Sequence, residues 1–406
     1  MAPPGSQPGW SGQHHGRSEV VVDLAAIRHN VATLKRAVGD AAMMTVVKAD
    51  GYGHGLVESA RAAREGGADW LGVAVMEEAL ALREAGDTGP LLTWLAVPGE
   101  SYAAALEAGI DVTAYTVDEL ETIAATARDL GVPARVQLKV DSGLSRGGST
   151  IELWPGLVEA AAAAEESGAA RITGIWTHPA CADEPDHPAN DFQEQTFRAA
   201  VQTAQMVGLE PEVVHFANSA AALLRPSARF SLVRCGIASY GLTPAPDVAS
   251  SADLGLVPAM TVRGRLALVK RVPEGAGVSY GHTYVTPKET TVGVVPMGYG
   301  DGVPRHASSR AEVMIAGRRR PVLGRVCMDQ IVVDLGDDGV ATGDEVVLFG
   351  NGADGGPTAQ DWADACDTIS YEIVTRMGAR QQGRMRRVHV DTDVDTGRTE
   401  AKEATA

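Results

Sequence analysis

Apolar and polar positions alternate in two different ways along this chain. Up to about residue 256, short β-rich apolar runs are separated by amphipathic stretches, and beyond it short β-branched runs are separated by Gly and Asp turns. The first regime holds eight such runs, at 43–47, 70–75, 91–96, 111–114, 135–140, 171–176, 212–215 and 231–234. The gaps carry helical spacing or turn residues, as in Leu56, Val57, Ala60 and Ala63, or Pro98 and Gly99 ahead of 101–108. Strand alternating with helix predicts parallel strands joined by crossover helices. Eight of them close a (β/α)8 barrel of the TIM type, with every C-terminal strand end at one mouth. Ahead of these runs, 20–22 reads as a short strand leading to Asp23, an N-cap for a helix over 24–37.

The second regime has runs at 290–296, 311–315, 320–323, 330–335 and 345–348 and almost no helical spacing before 358. It predicts a C-terminal, mainly antiparallel β domain with helices over 358–366 and 370–376. A Pro-, Ala- and Ser-rich connection at 243–258 marks the boundary. The expected organisation is a disordered tail over 1–18, an α/β barrel over 19–256, a β domain over 257–390 and a frayed tail over 391–406.

The chemistry is expected at the strand ends. The first run ends in V-V-K-A-D-G-Y-G-H-G, residues 46–55, which delivers Lys48 to the mouth. A lysine at a strand exit is usually a solvated charge. Here apolar residues precede it and glycines that admit close backbone approach follow, so Lys48 is a candidate Schiff-base former: desolvation frees the neutral amine. The fifth run ends K-V-D-S-G-L-S-R, from Lys139 to Arg146, the sixth in Thr177 and His178, the seventh in H-F-A-N-S and the eighth in V-R-C-G-I. Taken alone, Lys139 pairs with a carboxylate such as Asp141, and His178 is a hydrogen-bonded core histidine. Asn218 and Ser219 either cap a helix or, with the backbone of Gly236 and Ile237, hold a phosphate, as the loops after strands seven and eight do in many barrels.

These segments are followed in order by G-V-S-Y-G-H-T-Y (277–284), P-M-G-Y-G-D-G (296–302), G-R-V-C-M-D-Q (324–330) and T-I-S-Y-E-I (368–373). The set resembles that of the alanine racemase family, pyridoxal-phosphate enzymes built on a TIM-type barrel. The resemblance implies that Lys48 holds pyridoxal 5'-phosphate as an aldimine, that Tyr52, Asn218, Ser219, Gly236 and Ile237 serve its phosphate, and that Tyr371 is a second phosphate or a gate tyrosine. Arg146 would bond its phenolic oxygen, oriented by a carbamylated Lys139, and His178 would lie over the ring. Arg234 would face the pyridine nitrogen, with His215 beneath it. Tyr280 would be the second base, opposite Lys48. Met328 and Asp329, with Arg146, would meet the substrate, and Tyr299 and Arg305 would line the way in. Pro179 and Cys235 depart from the family's usual residues.

An arginine at the pyridine nitrogen stays charged and only donates, so the ring would remain neutral and a shallow electron sink, which favours return of the proton over transamination or elimination. The implied activity is interconversion of L- and D-alanine by two-base proton transfer, supplying D-alanine for the cell wall. The implied assembly is a head-to-tail homodimer with shared sites, because the β-domain residues enter from the partner subunit. Two rivals share these features. One is another pyridoxal enzyme, a broader amino-acid racemase or a decarboxylase, and the pairing of Lys48 and Tyr280 with Arg234 argues against decarboxylation. The other is an idle binder of the cofactor or an alanine mimic, which would lack a second base where this chain keeps Tyr280.

Composition narrows the partners. The 406 residues are 45% hydrophobic, enough for real cores, and the net charge of -17 repels nucleic acid and anionic membrane. No apolar stretch has the length of a membrane span and no signal-like segment opens the chain, so a cytoplasmic protein is expected. Cys181, Cys235, Cys327 and Cys366 are too widely spaced for a zinc ribbon; reduced thiols and no metal are expected.

Overall fold

The computed structural model of the chain describes residues 17–378 and 384–392. Of the two expected tails, only Arg17, Ser18, Asp391 and Thr392 fall within the described residues. The described residues divide into two compact units, one of 23–259 with 391–392, the other of 17–22 with 260–378 and 384–390.

The first unit is an α/β barrel. Its eight parallel strands are Ala42–Val46, Trp70–Val73, Leu91–Thr93, Asp111–Ala114, Ala134–Lys139, Ala170–Trp176, Val213–His215 and Leu232–Cys235. They lie side by side in chain order, and the eighth pairs with the first. Between the seventh and eighth, Ser231 N–H donates to Val214 O (3.2 Å) and Arg234 N–H to Ala217 O (2.9 Å), which nearly closes the ring. Strands covered on both faces must be apolar throughout, and Met44, Trp70, Leu92, Val213 and Leu232 from five of them pack together inside. Full burial of such a side chain is worth about 1.5–3 kcal/mol. The helices begin where the sequence caps them: Asp23 accepts from Ala25 N–H at 2.9 Å and opens Leu24–Val38, whose Ile27, Val31 and Leu34 face inward.

The second unit is a nine-stranded sheet whose successive neighbours are Leu268–Val272, Thr290–Val295, Ile331–Gly336, Arg318–Leu323, Glu312–Ile315, Glu345–Phe349, Met260–Arg265, Ser18–Asp23 and Arg386–Val390. Helices Ala359–Cys366 and Ser370–Gly378 lie near the two expected ranges. One expectation is corrected here. Residues 19–22, assigned above to the barrel, and Ser18, assigned to a tail, form a strand of this sheet, with Val20 opposite Val262. The strand is buried almost throughout because it sits inside a sheet rather than at an edge. At the other end, Asp391 and Thr392 side chains bond Arg28 and Asp23 in the barrel unit. Among the described residues no helix is long and apolar enough to cross a membrane.

The loop after the eighth strand ends in a 3-10 turn, Ile237–Tyr240, followed by Gly241 at φ +86°, where any Cβ would collide with the Val257 carbonyl. Gly241→Ala is therefore expected to lower stability by about 2 kcal/mol or more, read as a fall in the urea midpoint; an unchanged midpoint would show that the turn rearranges freely.

Candidate active site

The strand carrying Lys48 does not run straight into a right-handed helix. Ala49 (φ 54°, ψ 50°), Asp50 (56°, 46°) and Gly51 (62°, 43°) form a left-handed turn, and Tyr52 also has positive φ. Left-handed helical geometry costs roughly 1–2 kcal/mol for each L-residue with a side chain, so other groups must hold it. Glu78 Oε1 accepts from Ala49 N–H at 2.6 Å, and Asp50 Oδ1 accepts from Leu56 N–H at 3.0 Å. The Tyr240 hydroxyl donates to Val46 O at 3.1 Å, while its ring stacks on His54 at 4.5 Å. The turn brings the buried Tyr52 hydroxyl against Gly236, at the very place a Cβ there would occupy. Gly236 N–H in turn donates to Ser219 Oγ at 2.9 Å. Tyr52, Ser219 and Gly236 thus converge, with Ile237 following. Asn218 caps its helix as one of the two readings had it, accepting from Ala221 N–H at 3.0 Å.

Around this cradle the charges are mostly of one sign. Burial, then the Arg146 and Arg234 guanidinium groups, push the Lys48 amine below the usual lysine range, against the opposing pull of Glu78. Burial, then Arg234 and Arg146, push Lys139 down to about 8, with only Asp141 opposing. Both carboxylates are already engaged with backbone. Glu78 accepts from Ala49 and Ala74, and Asp141 Oδ1 accepts from Gly143, Leu144 and Ser145. Aromatic rings line the same place: Lys139 Nζ is 4.5 Å from the Trp176 ring and 5.3 Å from Tyr115, and Lys48 Nζ is 5.9 Å from Trp94.

Arg234 is 4% exposed and bonds five acceptors, none a carboxylate. They are Thr177 O (2.8 Å), Phe216 O (3.1 Å), His215 O (3.2 Å), His215 Nδ1 (3.1 Å) and His178 Nδ1 (3.3 Å). A guanidinium only donates, so both Nδ1 atoms must be bare and both rings neutral with hydrogen on Nε2. Burial, then Arg234, hold both imidazoles well below the ordinary histidine range.

The β-unit candidates gather on one loop, 324–330. The short hairpin Gly277–Val278 and Tyr284–Val285 packs Val278 against Val292 and Leu323, and Ser279 Oγ donates to Arg325 O at 2.6 Å, which positions Tyr280. Tyr299 N–H donates to Cys327 O (3.0 Å) and Gly300 N–H to Met328 O (2.8 Å). Val326 N–H donates to Ser308 Oγ (3.0 Å), tying in the turn of Arg305. The helix of Tyr371 joins the Tyr299 turn through Arg376 Nε and Gly302 O (3.2 Å). Asp329 pairs with Arg384 at 2.5 Å. Tyr280 is 68% exposed and Met328 52%.

Residues 22–244 match the sequence pattern of the alanine racemase N-terminal domain, and residues 259–385 that of its C-terminal domain. The chain belongs to the alanine racemase family. It is similar to the alanine racemase of Frankia casuarinae, 56% identical over 364 residues that cover 90% of this chain and 95% of that one. The alanine racemase structure from D-cycloserine-producing Streptomyces lavendulae superposes with a TM-score of 0.91 at 49% identity, covering 94% and 98% of the two chains. A more distant member, the alanine racemase of Bartonella henselae with covalently bound pyridoxal phosphate, superposes at 0.82 and 26% identity over 92% of this chain and 100% of that one. Within this alanine racemase fold, the motifs named Lys48, Lys139, Arg146, His178 and Arg234, and the barrel brings them together. Sequence reading passed over Glu78, Gln137 and Trp176, which lie inside a helix or strands, and Trp94 and Tyr115, each just past the end of a strand, where nothing local sets them apart.

The two neutral histidines make acid stability testable. Their folded-state pKa values lie below the unfolded value of about 6.5, so as pH falls through that value the unfolded chain takes up protons that the native one refuses. Native stability should then drop, by up to about 2 kcal/mol per ring at about pH 5. His215→Gln should shrink the loss between about pH 7 and pH 5 in urea titrations. An undiminished loss would place the acid sensitivity elsewhere.

Proposed function

We propose that the barrel mouth binds pyridoxal phosphate and that Lys48 and Tyr280 move the Cα proton of alanine on opposite faces, the reaction being the interconversion of L- and D-alanine that defines the family. The observation carrying this reading is the buried Arg234, whose acceptors are all neutral, inside a mouth lined by Lys48, Lys139 and Arg146. Such a donor set lacks an anion, and a phosphorylated, phenol-bearing aldehyde matches it. Tyr52, Ser219 and the Gly236 backbone form the cradle suited to the phosphate, with Asn218, Ile237 and Tyr371 around it. Arg146 suits the phenolic oxygen, His178 the ring face and Arg234 the ring nitrogen.

When bound, pyridoxal phosphate supplies the electron sink that makes the Cα–H of an amino acid acidic. Lys48, the covalent anchor, has an amine that burial and neighbouring guanidinium groups shift toward its neutral form, ready to take or return a proton on its own face. Tyr280 carries the proton on the other. Arg234 only donates and does not protonate the ring nitrogen, which favours return of the proton over other outcomes. Met328 and Asp329, with Arg146, meet the substrate carboxylate, and Tyr299 and Arg305 line the approach. Supply of D-alanine for the cell wall and a cytoplasmic location go with this reading.

Lys139, pushed down to about 8, has a neutral amine available to carbon dioxide. The new N–C bond forms as the nitrogen releases a proton, and the resulting carbamate puts an anion between Arg146 and Arg234. Exposed Tyr280 and Met328 suit a head-to-tail homodimer in which each β unit completes the partner's barrel mouth.

In heavy water the enzyme should invert either alanine enantiomer while taking up deuterium at Cα; loss of both would sink the racemase reading. Tyr280→Phe should keep its yellow cofactor and lose between about a hundredfold and ten-thousandfold in rate, and Lys48→Ala should lose covalent attachment. Mixing these two inactive variants under conditions that exchange subunits should restore about a quarter of the sites if they are shared between chains; no recovery would mean that each chain builds its own. Enzyme grown with labelled bicarbonate should show a carbamate carbon signal that Lys139→Ala abolishes, and a signal surviving that change would remove the assignment.

A further inference from the structure

Arg234 does not end at His215. His215 Nε2 lies 2.8 Å from Gln137 Oε1, Gln137 Nε2 lies 3.0 Å from Asp111 Oδ2, and Asp111 is also bonded by Thr173 Oγ1 and, on its other oxygen, by Arg135 Nε at 2.6 Å. Asp111, Gln137 and His215 are 1% exposed or less. We propose that Asp111 and Gln137 are positioning residues for racemisation: through a one-directional chain of hydrogen bonds they hold His215 in the tautomer that accepts from Arg234. The proposal rests on the reading above in which Arg234 addresses the cofactor ring.

The direction follows from what each group is able to do. A carboxylate only accepts, so the Gln137 amide nitrogen must face Asp111 and its oxygen must face His215. An amide oxygen only accepts, so the hydrogen of His215 sits on Nε2. Nδ1 is then bare and takes the Nη1–H of Arg234 at 3.1 Å. A guanidinium at the upper end demands the same polarity, so both ends agree on a single arrangement. Turning the amide over would set oxygen against carboxylate and nitrogen against an N–H.

The chain is built into the fold rather than left over from it. Gln137 precedes Lys139 by two residues on the fifth strand and therefore shares its face, one step further from the mouth. Opposite it the sixth strand carries Gly174, where a Cβ would press on the Gln137 amide carbon at 2.7 Å. The His215 ring is stacked on Trp176 at 5.6 Å and 7°, which fixes its plane and leaves only its tautomer to be decided. An apolar residue at 137 would suit a barrel interior better, and a buried amide is retained only where both its ends are satisfied.

Gln137→Met keeps the length and deletes both links. In the holoenzyme it should lower kcat about tenfold with little change in the KM for alanine, and nitrogen NMR of histidine-labelled enzyme should show a shifted His215 Nε2–H signal, that hydrogen having lost its acceptor. Gln137→Glu sets two carboxylates together and pulls a proton onto His215, against Arg234. Adding Asp111→Asn to it supplies a donating amide below and an accepting carboxylate above, and should recover part of the rate. Unchanged kcat and an unchanged His215 signal in Gln137→Met would overturn the proposal. So would a Gln137→Glu defect that Asp111→Asn leaves untouched, since packing alone would then account for it. Should the wild-type enzyme not racemise alanine, the underlying reading fails, whereas the His215 signal in Gln137→Met still decides whether the chain holds that ring.

Discussion

A guanidinium buried without a carboxylate is the constraint on which the barrel depends. Removing a charge from water is expensive unless it is well bonded, and Arg234 meets that requirement with three backbone carbonyls and two imidazole nitrogens. The acceptors take the hydrogens of Nη1 and Nη2 and leave its charge uncancelled. Lys48, Lys139 and Arg146 add to that charge, and the two nearest carboxylates, Glu78 and Asp141, are occupied with backbone N–H groups. An anionic guest would offset that charge, and whatever binds the native state alone adds its binding energy to stability.

The neutrality of the two imidazoles follows from the same arrangement. Each is held by burial and by a cation that has nothing to accept with. The site near Arg234 thus has donors and bare lone pairs whose places are settled before any ligand arrives, which is the form of preorganisation that proteins use instead of moving dipoles during a reaction.

What the sequence revealed of this was set by distance along the chain. Strand ends were legible because an apolar run stops abruptly at Lys48, Lys139, His178 and Arg234, and the family's motifs made the same residues stand out. The left-handed turn was not, since Ala49 and Asp50 have no feature that announces positive φ; the turn is held by Glu78 and Tyr240, far away in sequence. Asp111 and Gln137 read as ordinary positions in β runs, because a bond spanning three strands has no signature in any one of them. The strand at Ser18–Asp23 was recognised over 20–22 and placed in the barrel domain, outside its eight strands, rather than in the β sheet. Alternation reports that a segment has two faces, and it is silent about the neighbour. In the β unit, Tyr280, Tyr299, Arg305 and Met328 were found as separate motifs, and only the loop 324–330 reveals them as one cluster.

That misassigned strand also bears on how the protein is made. Ser18–Asp23 is made before the barrel, yet it sits between Met260–Arg265 and Arg386–Val390, both made after it. A nascent chain must keep this β-branched segment, V-V-V at its centre, unpaired while the whole barrel emerges. Domains tend to fold in the order of synthesis, and here the sheet waits for the strands that follow the barrel. The growing polypeptide thus leaves a sticky strand unpaired while the barrel is made, the period in which chaperone capture or mispairing with another nascent copy has its opening.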